Sequence, residues 1–125
     1  TTRLREAQRQ VDGVCGANAD NTGGARRAID GAKWYKPLAD KTHILIIGLD
    51  GTAQALDAIR QGKQDATISQ NPIRMAERSL GFVKDLMVDG KAVPAHDYWP
   101  TTLIDQKNID SAAVKKYGLW SAEVK

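Results

Sequence analysis

The sequence predicts an α/β domain built on a mostly parallel sheet. Three observations carry this reading. The stretch His43–Asn71 runs apolar segment, turn, helix-like segment, turn, apolar segment, which is one strand–helix–strand unit. A shorter apolar run at Val14–Ala17, a polar loop and another helix-like segment precede it in the same order. The polar residues of both stretches sit just past the strand ends, where a parallel α/β sheet binds ligands.

In chain order, Arg3–Gln10 is rich in helix formers and has little apolar face, so it reads as the end of a helix. Asp12-Gly13 signals a turn, and Val14–Ala17 reads as a short buried strand ending at Asn18. Asp20, Asn21 and Thr22 are candidate N-caps for a helix over Gly23–Ala32, with Ala25, Ala28, Ile29 and Ala32 at helical spacing. Trp34-Tyr35-Lys36-Pro37 breaks that helix, because Pro37 disfavours helix at Lys36. The two aromatics of this loop either pack on the sheet edge, the preferred reading, or stack on a ligand.

The central unit follows. Ile44–Ile47 is its first strand and Asp50-Gly51 its turn. The helix over Thr52–Gln61 places Ala53, Leu56 and Ile59 on one face and stops at Gly62. Ala66–Ser69 is the second strand and delivers Gln70-Asn71-Pro72. Pro72 opens a long helix to about Val88, since proline suits a first helical turn. Its stripe of Met75, Ala76, Leu80, Val83, Leu86 and Met87 reads as core. Tyr98–Ile104 is β-rich but contains Pro100, which confines it to an edge or connecting strand. Asn108 or Asp110 caps a last short helix through Val114 and Tyr117, ended by Gly118.

The 125 residues suit one domain. A bilayer-spanning helix needs roughly 20 consecutive apolar residues, far more than the run at Ile44–Ile47 supplies. No signal peptide stands at Thr1, which is not an initiator Met, so the chain reads as mature, trimmed or a fragment. The net charge is +3, and the basic residues are spread along the chain with no aromatic-studded basic motif. That pattern favours solvated helix faces over a nucleic-acid partner. The single cysteine, Cys15, has no internal disulfide partner and reads as a buried thiol.

Three polar clusters end three successive strands: Asn18–Asn21, Asp50, and Gln70-Asn71. Right-handed crossovers set these strands side by side and bring the clusters around one mouth. A carboxylate accepts two hydroxyl protons at once, and amides both donate and accept. This is a hydroxyl-binding constellation in which no proton needs to move. Other chemistries lack their parts. GLDGTA has neither the lysine nor the glycine spacing of a phosphate loop. His43 begins a strand at the end opposite the mouth, and His96 lies in a proline-rich connection, both without a nucleophile beside them. Too few ligands are available for a zinc site, and no metal or cofactor is implied. Asp50 or Thr52 is also a candidate N-cap for the helix that follows, a role compatible with ligand binding.

ILIIGLDGTAQALDAIRQGKQDATISQNP resembles the periplasmic sugar-binding proteins of ABC transporters, in the ribose- and galactose-binding group. In that family a strand ends in a G-F-D-G-type turn, and a helix and a G-x-x-D/A-A-T-x-x-Q segment with a nearby proline follow. Here these are Gly48-Leu49-Asp50-Gly51, Gly62, Asp65-Ala66-Thr67, Gln70 and Pro72. VDGVCGANADNTGGARRAI looks like the family's strand ending in Asn, and PTTLIDQKNID like its closing segment. Leu49 stands where the family usually has Phe, and Ala19 where it often has an acidic residue. The resemblance implies a three-layer, flavodoxin-like or Rossmann-like lobe, incomplete at its N-terminal side, with the 125 residues forming part of a second, C-terminal lobe. It implies Asn18, Asp50 and Gln70 as sugar-hydroxyl ligands, leaves Asn71 as a further candidate, and gives an aromatic such as Trp34 or Trp99 a stacking role. It also implies a periplasmic, non-enzymatic solute-binding protein that passes a sugar to a membrane permease. Effector domains of lactose-repressor-type transcription factors and periplasmic signalling receptors share the fold and remain the alternative. An incomplete sheet leaves an open edge at Val14, open to self-association or to a second fragment.

Overall fold

The computed structural model describes residues 11–115. The helix expected at Arg3–Gln10 and the helix end expected at Tyr117 and Gly118 lie outside the described residues. The elements are β1 (Gly13–Cys15), α1 (Ala19–Gly31), β2 (Leu45–Asp50), α2 (Ala53–Arg60), β3 (Ala66–Ser69), α3 (Pro72–Met87) and β4 (Thr102–Asp105). The strands form one sheet in the order β1-β2-β3-β4. β1, β2 and β3 are parallel, with Val14 opposite Ile46 and Gly48 opposite Thr67. β4 joins antiparallel, with Ile104 opposite Thr67. The α/β class and the mostly parallel sheet are those the sequence predicts. Among the described residues Val14 lies on an edge strand, and Pro100 falls just before β4, where its missing N–H interrupts no ladder.

Residues alternate between faces along a strand. One face carries Val14, Ile46, Gly48, Thr67 and Ile104 toward the helices α1 and α2, which pack side by side. Ile29 of α1 meets Ile44 and Ile46, with Val11, Val14, Trp34 and Tyr35 packed around them. Leu56 and Ile59 of α2 meet Ile104, Ile109 and Val114. Each such fully buried aliphatic side chain contributes about 1.5–3 kcal/mol through its removal from water. The opposite face carries Cys15, Leu45, Ile47, Leu49, Ile68 and Leu103, of which Leu45 is 42% and Leu103 52% exposed.

Several expectations are corrected here. Cys15 is exposed, because the alternation of β1 turns it to the uncovered face. Helix α1 begins four residues earlier than expected, at Ala19, because Asn18 is its cap. Asn108 does not cap a helix. Its Oδ1 accepts from the Asp105 N–H at 2.9 Å, while Ser111 Oγ accepts from the Val114 N–H at 3.2 Å.

The apolar stripe of α3 is not core, and no residue of this helix is buried. Leu80, Val83 and Leu86 are exposed, and Met87 is 75% exposed. Periodicity established an amphipathic helix but not a partner for its apolar side. The double variant Leu80→Glu, Met87→Lys is expected to change stability by less than about 0.5 kcal/mol, as at ordinary surface sites. Urea unfolding checks this, and a loss above about 2 kcal/mol would show a packed stripe.

The foot of the sheet is held by a histidine. His43 Nδ1 lies 2.8 Å from the Lys36 carbonyl, and Nε2 lies 3.0 and 3.1 Å from the two Asp65 carboxylate oxygens. Asp65 also accepts from the Ile46 N–H at 2.7 Å. Both ring nitrogens face acceptors, so the doubly protonated ring satisfies both. Burial alone pulls the His43 pKa down, but the Lys36 carbonyl and Asp65 outweigh it together, and the net shift is upward. A raised folded pKa stabilises below the unfolded value of about 6.5 and loses that contribution as pH rises through the folded value. The urea midpoint should therefore fall as pH rises upward from about 6.5, and the His43→Phe variant should lack this component.

Candidate ligand-binding site

The mouth is assembled from the ends of the parallel strands. After β1, Asn18 adopts extended backbone and its Oδ1 accepts from the Asn21 N–H at 2.8 Å, which starts α1. Thr22 Oγ1 donates to the Asn18 carbonyl at 2.8 Å. The Thr22 side chain is buried where Gly16 and Gly48 leave space, and a Cβ on Gly16 would lie 2.0 Å from its Oγ1. These two glycines seat the first turn of α1 against β1 and β2. Sequence reading missed that role, because a glycine in a strand shows no partner until the helix lies across it.

β2 ends at Asp50, whose φ is +86°, and Gly51 follows at +73°. Two consecutive left-handed residues turn the chain sharply. Aspartate tolerates that region better than most residues, whereas a Cβ on Gly51 would lie 2.7 Å from Ser69 Cβ. A strained non-glycine residue at a site mouth costs of order 1–3 kcal/mol and persists where its surroundings over-determine it. Here they do. Asp50 Oδ2 accepts from the Ala19 N–H at 3.1 Å, the first amide of α1. Asp50 Oδ1 accepts from Gln70 Nε2 at 3.0 Å, just past β3. The structure thus joins Asp50 and Gln70 directly and ties them to the Ala19 N–H, while Asn18, the residue before Ala19, is engaged as the cap of α1 and does not line the concavity beside Gln70. Two of the roughly four acceptor positions of the carboxylate are used, leaving about two for incoming donors.

Asp50 and Gln70 line a concavity of about 370 Å³ together with Thr52, Pro72 and Met75. Thr52 caps α2, its Oγ1 accepting from the Ala55 N–H at 3.4 Å, so of the two candidate caps it is Thr52 that takes this role. Pro72 and Met75 enter through the first turn of α3, and the sequence signal for them is their closeness to Gln70. A larger concavity, about 460 Å³, lies at the other end of the sheet beside His43, Asp65 and Asp105 and contains none of the mouth residues.

The remaining candidates separate from this cluster. Asn71 is only 4% exposed, with φ +48°, and its Oδ1 accepts from the Arg74 N–H at 3.2 Å as the cap of α3. Trp34 lies beyond the C-terminal end of α1, packed on the Ile29, Ile44 and Ile46 cluster. That packing of Trp34, partly buried against the cluster, is the preferred reading of this loop from the sequence. Its neighbour Tyr35 donates to the Lys63 carbonyl at 2.8 Å, and burial pushes its phenol up to about 12. Trp99 is half-buried just before β4.

A mostly parallel α/β sheet with a carboxylate and amides at the ends of its strands has the layout in which such sheets place ligand sites. The comparisons give the family. The chain matches the periplasmic binding protein domain family over residues 1–92, and it belongs to that family. It is 32% identical over 104 residues to the xylitol-binding protein of Mycolicibacterium smegmatis, which spans 82% of this chain and 27% of that protein. It is also 32% identical over 96 residues to the ribose import binding protein of Haemophilus influenzae, spanning 76% of this chain and 30% of that protein. The chain therefore spans less than a third of the length of these relatives. Among solved structures, an ABC transporter solute-binding protein from Agrobacterium vitis with bound D-fucose superposes with a TM-score of 0.77 at 24% identity, covering 94% of this chain and 38% of that one. A Mycobacterium smegmatis protein in complex with β-D-fucofuranose superposes with a TM-score of 0.73 at 26% identity, covering 92% of this chain and 37% of that one.

Proposed function

We propose that this chain is part of the C-terminal lobe of a periplasmic solute-binding protein that captures a monosaccharide or similar polyol and passes it to the permease of an ABC transporter. The observation that carries this reading is Asp50, held between the Ala19 N–H and Gln70 Nε2 with acceptor capacity left over at the floor of a concavity. Two hydroxyls of a vicinal diol match that capacity, and the Gln70 carbonyl oxygen accepts from a third. Asn18 offers its amide N–H₂, since its oxygen is engaged in capping. The names of the xylitol- and ribose-binding relatives support the polyol class. The work of such a site is reversible capture of a solute, as in the family of solute-binding proteins to which the chain belongs. A second lobe closing over the ligand would supply the other wall and remove the polar contacts from water, where they gain most of their net strength.

Saturation-transfer NMR of the chain with D-ribose and xylitol tests the reading. Saturable transfer to the polyol protons is expected. Absence of saturable binding by both the chain and the complete two-lobed protein, for every polyol tried, would overturn it.

A further inference from the structure

We propose that Met75, with Pro72, is the specificity-determining wall of this concavity, and that it selects a deoxy sugar, a polyol with a hydroxyl-free carbon beside its diol. The inference rests on the polyol reading above and adds the chemistry of the opposite side. The described lining residues divide by chemistry. Asp50, Gln70 and Thr52 present a carboxylate, an amide and a hydroxyl. Pro72 and Met75 present hydrocarbon and a thioether. Pro72 has no N–H. The Met75 N–H is spent on the Asn71 carbonyl at 3.2 Å, and the Met75 carbonyl accepts from Ser79 Oγ at 2.9 Å. The wall therefore offers an arriving hydroxyl no donor and only a weak sulfur acceptor. A methyl or methylene edge instead packs against a polarisable, adaptable side chain.

The wall is also held in place. Met75 sits in the first turn of α3, which the buried Asn71 caps and Pro72 opens. Its side chain remains 40% exposed, so it is reachable by ligand. A sugar gripped through a diol by Asp50 and Gln70 turns its next carbon toward this wall. A hydroxyl there loses its water without gaining a partner, while a deoxy carbon loses nothing. Apolar pockets discriminate by about tenfold or somewhat more for differences of this size.

The chain contains two methionines, Met75 and Met87, set 12 residues apart on α3, about 18 Å along the axis. Methyl-¹³C-methionine labelling of the full chain thus gives a reporter in the site and a control far from it. The probes are D-fucose and D-galactose, which share stereochemistry and differ by the C6 hydroxyl, with the Gln70 side-chain amide followed in parallel by ¹⁵N. The expected result is that D-fucose shifts the Met75 methyl and the Gln70 amide, leaves Met87 in place, and saturates at about tenfold lower concentration than D-galactose. The variant Met75→Gln, which supplies a donor at similar length, should erase that preference while retaining the Gln70 shifts. Gln70 shifts without Met75 shifts, or equal affinities for the two sugars, would overturn the wall and leave the polyol reading standing. No shift at either residue with either sugar would overturn both.

Discussion

Replacing Asp50 by Asn lowers sugar affinity by about a hundredfold or more. Hydrogen bonds from hydroxyls to a charged acceptor contribute roughly 1.5–3 kcal/mol each, and Asp50 has room for about two. Asn keeps the shape and tolerates the φ of +86°, so the turn survives. It cannot accept from Ala19, Gln70 and a diol at once, because one of its two oxygens has become a donor. The accompanying loss of stability is that of a helix-terminal acceptor, about 0.5–2 kcal/mol, reflecting the weakened contact to the Ala19 N–H. Titration calorimetry and urea unfolding separate the two effects. Unchanged sugar affinity in the Asp50→Asn variant would remove Asp50 from the site.

The Gly16→Ala variant unfolds far more readily than the parent chain. Its new methyl group meets Thr22 Oγ1 at 2.0 Å, the Thr22 backbone nitrogen at 2.9 Å and its Cα at 3.0 Å. The hydroxyl could rotate aside, but the backbone of α1 cannot move without dragging Ala19 from Asp50. Overpacking of this kind costs about 1–3 kcal/mol and sometimes more, a large share of the 5–15 kcal/mol typical of a domain. Adding Thr22→Ala should restore part of the loss, since it removes the hydroxyl clash and leaves the backbone one. A double-mutant cycle on urea midpoints reads this coupling. An unaltered midpoint in Gly16→Ala would mean that α1 does not lie across β1 as described.

The strand–helix–strand core was legible because its signals are local. Gly62, with φ +68°, stops α2 where the sequence places the stop, and Pro72 opens α3 as its chemistry requires. The start of α1 was not legible. Asn18, Asp20, Asn21 and Thr22 all cap well in isolation, and the choice among them is tertiary. Asp50 supplies an acceptor for the Ala19 N–H, and Gly16 and Gly48 leave room for Thr22, so the helix begins at Ala19. Cys15 and the α3 stripe fail for a related reason. Composition marks a residue as able to be buried, while the covering layer decides whether it is. The nearness of Asp50 and Gln70 was legible because parallel topology gathers strand ends. Met75 was not, since nothing in its own stripe separates a pocket wall from core.

The double clamp on Asp50 has a consequence for how the ligand is captured. A carboxylate held at one oxygen by a helix amide and at the other by Gln70 has little rotational freedom left to lose. A carboxylate already held in place adds little ordering cost of its own when a ligand arrives. Encounter with the floor of the site then needs no side-chain search at Asp50.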